Sequence, residues 1–301
     1  MSNRDTATWL RERVWHASIP LEIRLHKADS SSYDSDAYLV HFPRLSYLAF
    51  LLPELHTFFY NDLIYPDVSW ADAWLEYDGV PLKWHYPLGL LHDLYSGAAP
   101  VSAHDTSEEK ETPSWQLTVH FSKYPEDQLV RLDTDGKHLR DLFTNNVKEA
   151  DYLRNGTGRT MMFLGKQESQ DLWEGVRKHD FNLFHPIYTQ LMNPKGVALR
   201  HVPVRLYLPH AADPQAEEEI TPGSVRVVQE LVPLNTSSRQ PQTVGSALNS
   251  IMGGLFPNKR LALVAEPVLH GATLPLDASV EDLMRTSAYC DGWLHIAFAL
   301  L

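Results

Sequence analysis

Cysteine is nearly absent: the 301-residue chain holds one, Cys290. A single thiol excludes an internal disulfide framework and a thiolate metal cluster, and it suits the cytosol. Long apolar runs are missing too. Runs such as residues 48–52 are far too short for a bilayer span. The first twenty residues lack an apolar core of signal-peptide length. Basic charge is scarce beside acidic charge, with 26 Lys and Arg against 38 Asp and Glu and a formal net charge of −12. That balance repels a phosphate backbone and argues against a nucleic-acid binder. The patterns HExxH, GxSxG and GxxxxGK[ST] do not occur, so no zincin, nucleophile elbow or P-loop is indicated.

What is present is an ordinary globular balance, 44% hydrophobic and 21% charged, with 8 Trp, 13 Tyr and 11 Phe. At roughly 100–200 residues per domain the length allows two or three domains. A helix is predicted over residues 8–15, capped by Asp5 or Thr6. Ile19, Leu21, Ile23 and Leu25 then alternate with polar residues or Pro20, which marks a half-buried strand. A polar turn at 29–36 leads to a second strand through Tyr38, Val40 and Phe42. Residues 53–60 suit a helix with Pro53 first. Asp78-Gly79 between two apolar runs is a strong turn signal. A short helix at 88–95, an exposed loop at 97–113 and an alternating strand at 115–121 follow.

Residues 134–155 and 165–192 read as helical, the second stretch interrupted near Pro186. After Pro194-Lys195-Gly196, strands at 202–208 and 225–231 flank an acidic loop at 211–222. Thr243 caps a helix through Ile251. A strand at 261–265, a short helix at 280–284 and a last strand through Trp293, Ile296 and Phe298 complete the chain. Both ends show the order β, β, α, β, α, β, the first with an extra hairpin strand. This order fits a β-grasp fold and several other α+β folds. The reading is α+β, with two β-grasp regions around a helical segment.

Fifteen histidines raise the question of a metal. His179 and His185 do not share a helix face, and His201 and His210 lie at opposite ends of one strand, so the histidines are expected to be scattered and no metal site is predicted. Cys290 has His295 five residues on, but nothing marks it as an activated nucleophile. Asn155-Gly-Thr-Gly158 reads as a helix end and turn. The helix around Lys148 is more informative. Leu139, Leu142, Phe143, Val147, Ala150 and Leu153 form one apolar face, and Lys148 lies roughly 180° from it at 100° per residue. Asp141, Thr144, Asp151 and Asn155 are expected beside it on the exposed side. Accessibility alone does not make an amine reactive, so any acylation there requires a partner enzyme.

Several strings resemble the autophagy protein 5 family over nearly the whole chain, from about residue 9 to residue 299. They are Trp15-His-Ala-Ser-Ile-Pro20 with Phe42-Pro-Arg-Leu-Ser-Tyr-Leu48, the run at 74–91 that contains Pro81-Leu-Lys-Trp-His-Tyr-Pro87, Leu117-Thr-Val-His-Phe121 with Tyr124-Pro125, and Lys148-Glu-Ala-Asp151. The resemblance implies two ubiquitin-like (β-grasp) domains flanking a helix-rich domain: an N-terminal helix at 1–17, the first ubiquitin-like domain at 18–123, the helix-rich domain at 124–196 and the second ubiquitin-like domain at 197–301. It implies that Lys148 accepts the ubiquitin-like autophagy protein 12 in an isopeptide bond, with charging and transfer enzymes supplying the chemistry. The chain is then a substrate and scaffold, with no cofactor. The conjugate is expected to bind the amino-terminal helix of autophagy protein 16. With the transfer enzyme autophagy protein 3, it is expected to promote E3-like transfer of autophagy protein 8 to phosphatidylethanolamine. The location implied is cytoplasmic, and peripheral at the preautophagosomal structure and phagophore membrane. Trp84, His85, Tyr86 and Arg205 are the expected contributors to a partner groove, although Trp84 equally suits a core. Arg154, Arg159 and Lys166 are the candidate basic cluster for any membrane contact, which −12 overall keeps weak. Two other readings remain at this stage: an unmodified β-grasp adaptor, and a hydrolase with an unrecognised histidine site.

Overall fold

The alternation in residues 18–25 builds what it predicts. Ile19, Leu21, Ile23 and Leu25 are buried on one side of β1 (Ser18–Leu25), because successive side chains of a strand point to opposite faces. The computed structural model describes residues 3–102, 113–209 and 223–301. The loops predicted at 97–113 and 211–222 fall largely outside those residues, as does His210. The N-terminal helix α1 (Asn3–His16) runs further than expected at its start and carries Trp15 into a ring cluster. Trp15 stacks on His179 at 4.5 Å and on Phe184 at 4.6 Å.

The first sheet also contains β2 (Tyr38–Pro43), β3 (Trp74–Tyr77), β4 (Val80–Pro81) and β5 (Trp115–His120), with α2 (Leu52–Phe59) and α3 (Leu88–Tyr95) in the connections. Its strand order is β2-β1-β5-β3-β4, and β1 and β5 are parallel. A parallel central pair needs a crossover, which the stretch carrying α2 begins. The Asp78-Gly79 turn forms with both residues in the left-handed region, φ 49° and 77°.

Four helices follow: α4 (Lys137–Asn155), α5 (Arg159–Met162), α6 (Lys166–Lys178) and α7 (Phe181–Met192). The helical stretch breaks at His179, not at Pro186. His179 closes α6 in the left-handed conformation, and Asp180 caps α7 by accepting from the Asn182 and Leu183 N–H groups. Pro186 stays inside α7. The tight turn rests on Gly175, where a Cβ would come within 2.8 Å of Phe184.

The second sheet is formed by β6 (His201–Pro209), β7 (Val225–Pro233), β8 (Ala265–Leu269), β9 (Ala272–Thr273) and β10 (Leu294–Leu300), with α8 (Val244–Ile251) and α9 (Val280–Ser287). Its order, β7-β6-β10-β8-β9 with β6 and β10 parallel, repeats that of the first. Thr243 caps α8 as expected. The strand predicted at 261–265 instead lies at β8. Leu261, Leu263 and Val264 are exposed, whereas Pro267, a residue that argues against a strand, pairs with Phe298 and accepts from the Leu274 N–H at 2.8 Å. Helix α3 of the first sheet region packs on β8 and β10, and α4 packs on β6. The two sheets and α4 therefore meet at one junction.

Candidate functional site

Lys148 is exposed on α4, and the three residues that follow it are all tied down. Glu149 is gripped at both carboxylate oxygens: Oε2 accepts from Arg205 Nη2 at 2.9 Å and Oε1 from Gln229 Nε2 at 2.8 Å. Ala150 is fully buried against Gly292 (φ 83°), where a Cβ would lie 3.3 Å from that of Ala150. Asp151 is fully buried and accepts from Met161 N–H at 3.0 Å and Asn155 Nδ2 at 2.8 Å. This corrects the expectation that Asp151 and Asn155 flank the lysine in solvent. The chain turns at Gly156 (φ 70°) and folds α5 back over them, and a buried carboxylate requires such partners. Arg154 is also buried, with its guanidinium directed at the Gly292 and Leu191 carbonyls. It leaves the predicted basic cluster, of which Arg159 and Lys166 are exposed.

Exposed apolar side chains follow the lysine. Tyr152, Met162 and Phe163 are 59%, 74% and 80% exposed. Gly158 borders the Lys148 carbonyl, Met162 Sδ and Tyr152 Cβ, all within 4.0 Å of where a Cβ would stand. The turn after α4 thus brings Tyr152 and Met162 beside the helix turn that carries Lys148.

Behind Lys148, at the junction of the two sheets, lies a cleft of about 230 Å³. Three of the four groove residues chosen from sequence line it: His85, Tyr86 and Arg205. Trp84 does not. It is buried in the first sheet's core, donating its indole N–H to the Val130 carbonyl at 2.7 Å. Trp84 and His85 lie in a turn closed by the Tyr86 N–H on the Lys83 carbonyl, and the turn sends Trp84 to the core and His85 to the junction. From α4 come Leu139, Leu142, Phe143 and Asn146, and from the second sheet region Asp291 and His295. Leu142, read as part of the packed face, is 41% exposed at this cleft.

Arg205 organises the cleft. Its guanidinium lies 4.0 Å over the Trp293 ring and reaches Asn146, Glu149 and Gln229. The Trp293 indole donates to the Asn146 carbonyl. Burial, with Lys83 and Arg205 nearby, pushes His85 down to about 4, so its ring is neutral at pH 7. Deeper, His295 Nδ1 meets the Tyr207 hydroxyl at 2.7 Å, and Nε2 meets Asp291 at 3.0 Å. Burial opposes ionisation of Asp291, but His295 outweighs it and holds the carboxyl below its usual range. Burial, reinforced by Asp291, pushes the Cys290 thiol up, away from the thiolate a nucleophile needs. Asn146, Gln229 and Asp291 were not found by sequence reasoning, and His295 was weighed only as a neighbour of Cys290, since the groups that meet here from α4, β6 and β7 are distant along the chain.

Two five-stranded sheets of identical order around a helical bundle define a class of protein with paired ubiquitin-like domains. Residues 14–121 match the description "Autophagy protein ATG5, UblA domain", residues 136–194 "Autophagy protein ATG5, alpha-helical bundle region", and residues 201–298 "Autophagy protein ATG5, UblB domain". An autophagy protein 5 from Phaeosphaeria nodorum is 57% identical over 312 residues, covering 100% of both chains. One from Aspergillus oryzae is 40% identical, again over 100% of both, and one from Aspergillus fumigatus is 42% identical over 100% of this chain and 98% of its own. The crystal structure of Kluyveromyces marxianus Atg5 superposes with a TM-score of 0.73 at 22% identity, covering 97% of this chain and 99% of that one. The chain belongs to the autophagy protein 5 family.

Proposed function

We propose that this chain is a non-catalytic autophagy scaffold whose Lys148 accepts the ubiquitin-like autophagy protein 12 through an isopeptide bond. The observation that carries this reading is the Lys148-Glu-Ala-Asp151 turn, in which one exposed amine stands on a backbone held by the three residues after it. An acceptor on such a turn is presented in a fixed orientation, which lowers the entropic cost of reaction. Charging and transfer enzymes supply the activated carboxyl group. The exposed Tyr152 and Met162, close to the Lys148 backbone, offer an apolar landing surface.

The junction cleft with His85, Tyr86 and Arg205 is the proposed seat for the amino-terminal helix of autophagy protein 16, since amphipathic helices dock through a few anchors into such clefts. In this reading the conjugate acts with autophagy protein 3 to promote transfer of autophagy protein 8 to phosphatidylethanolamine. It works peripherally at the preautophagosomal structure and phagophore membrane from the cytoplasm. No helix among the described residues is long and apolar enough to cross a membrane. The proposed domain limits are 1–17, 18–123, 124–196 and 197–301.

The test is reconstituted conjugation with autophagy protein 12, its charging and transfer enzymes and ATP. A branched peptide at Lys148 is expected by mass spectrometry, and Lys148→Arg is expected to abolish the conjugate while leaving binding of the autophagy protein 16 helix intact. Conjugate formation by Lys148→Arg would remove the acceptor assignment.

A further inference from the structure

At one end of the first sheet, three cross-strand neighbours share the solvent-facing side. His26 follows β1, His120 ends β5, and Trp74 opens β3 opposite His120. Asp29, three residues after His26, reaches the same place and accepts the Phe121 N–H through Oδ2 at 3.0 Å. One donor atom from each of His26, Asp29 and His120 lies within 4.8 Å of the other two. We infer that His26, Asp29 and His120 form a zinc site on the open face of the first sheet.

Four observations support this assignment. First, His26 Nδ1 and His120 Nε2 are buried nitrogens with no aligned hydrogen bond among the described residues. Such groups are costly unless something binds them. His120 is more than nine-tenths buried. Second, the donors are two imidazoles and a carboxylate, a set suited to Zn2+. Third, the spacing is close to that of a bound site. Zinc bonds of about 2.0–2.2 Å give tetrahedral edges of about 3.4 Å, so a trio spread over at most 4.8 Å needs each donor to move inward by about 1 Å or less. Glu76 Oε2 already stands 3.3 Å from His120 Nε2, an edge length of that tetrahedron, and is placed to take the fourth position or to hold the water that does. Fourth, the shell is partly organised in advance: Trp74 stacks on His120 at 3.9 Å and 9°, fixing its ring.

His26 is the mobile member. Its ring stacks on His120 at 4.1 Å and 29°, and near-parallel rings cannot both aim an in-plane lone pair at one ion. The side chain is 38% exposed, so it is free to turn towards the ion while His120 stays pinned. Zinc bound there would bolt together the ends of β1, β5 and β3. The sequence gives no hint of this site, because His26 and His120 lie 94 positions apart with no motif spacing, and no metal site was predicted from it.

The test is titration of the tag-free full chain with Co2+ and then Zn2+, read by the visible bands of four-coordinate Co2+ and by calorimetry. One equivalent per chain is expected, with Zn2+ displacing Co2+. His26→Ala touches a half-exposed side chain, and Asp29→Asn keeps an acceptor for Phe121 N–H, so both variants should fold. Each is expected to weaken binding by at least about tenfold. His138→Ala, at an exposed histidine outside the trio, is expected to leave binding unchanged. No binding by the unaltered chain, unchanged binding in His26→Ala and Asp29→Asn, or equal loss in His138→Ala would each overturn the assignment.

Discussion

The two sheets share a strand order but not a surface. In the first sheet, β1 buries one face and turns Glu22 and Arg24 outward. Arg24 is 62% exposed and, among the described residues, pairs with Glu22 on its own strand. In the second sheet, β6 also carries an arginine on its outer side, but α4 covers that side. Arg205 is only 15% exposed, with Glu149, Gln229, Asn146 and Trp293 around it. Residues 294–298 of β10 are all buried. The same β-grasp frame therefore serves once as a domain with an open face and once as the inner layer of a helix–sheet–helix stack. Helix α4 makes the difference, and α4 carries Lys148.

The covered face should fail first when its centre is removed. Trp293→Ala is expected to cost about 3–5 kcal/mol, the range for a buried aromatic truncation, in chemical denaturation, and to slow conjugation at Lys148. A loss under about 1 kcal/mol would mean that α4 does not depend on this contact. Next comes acidification, which acts on histidines at the junction. Burial is the main reason that His85 and His270 sit at about 4 in the folded protein against 6.5 when free. Between those values the unfolded chain binds more protons, so stability falls as the pH drops from 6.5 towards 4 and is intact above about 7. About 3 kcal/mol from each histidine is expected, and the melting temperature of His85→Asn should depend less on pH than that of the unaltered chain. The paired arginines sharpen the contrast further. Arg205→Ala, which removes the guanidinium from the Trp293 ring and from one of the two grips on Glu149, is expected to cost about 2 kcal/mol. Arg24→Ala, at an exposed pair, should cost at most about 1 kcal/mol and most plainly nothing measurable. Equal losses at both would erase the distinction between the faces.

Local signals carried well from sequence to structure. The alternation of β1, the Asp78-Gly79 turn and the Thr243 cap each depend on neighbours within a few residues, and each is formed. The exposure of Lys148 was legible for the same reason, since the wheel of α4 already turns it away from the apolar face. Long-range burial was not legible. Asp151, Asn155 and Arg154 look like surface residues until α5 and residues 191 and 292 close over them. Pro186 looks like a helix break, but the fold breaks at His179, where Gly175 lets α7 approach α6. Trp84 looks like a partner anchor, but the first core claims it. In each case a tertiary neighbour decides what a local pattern leaves open.

The double grip on Glu149 also sets a path for mechanical load. A tether attached to the Lys148 side chain pulls on a helix whose next residue is fastened to Arg205 on β6 and Gln229 on β7, strands joined to each other along nine register pairs. Tension applied at the amine is therefore shared with a sheet loaded across many hydrogen bonds, rather than peeling α4 away one turn at a time. A protein attached there would be anchored to the second sheet as much as to the helix that carries it.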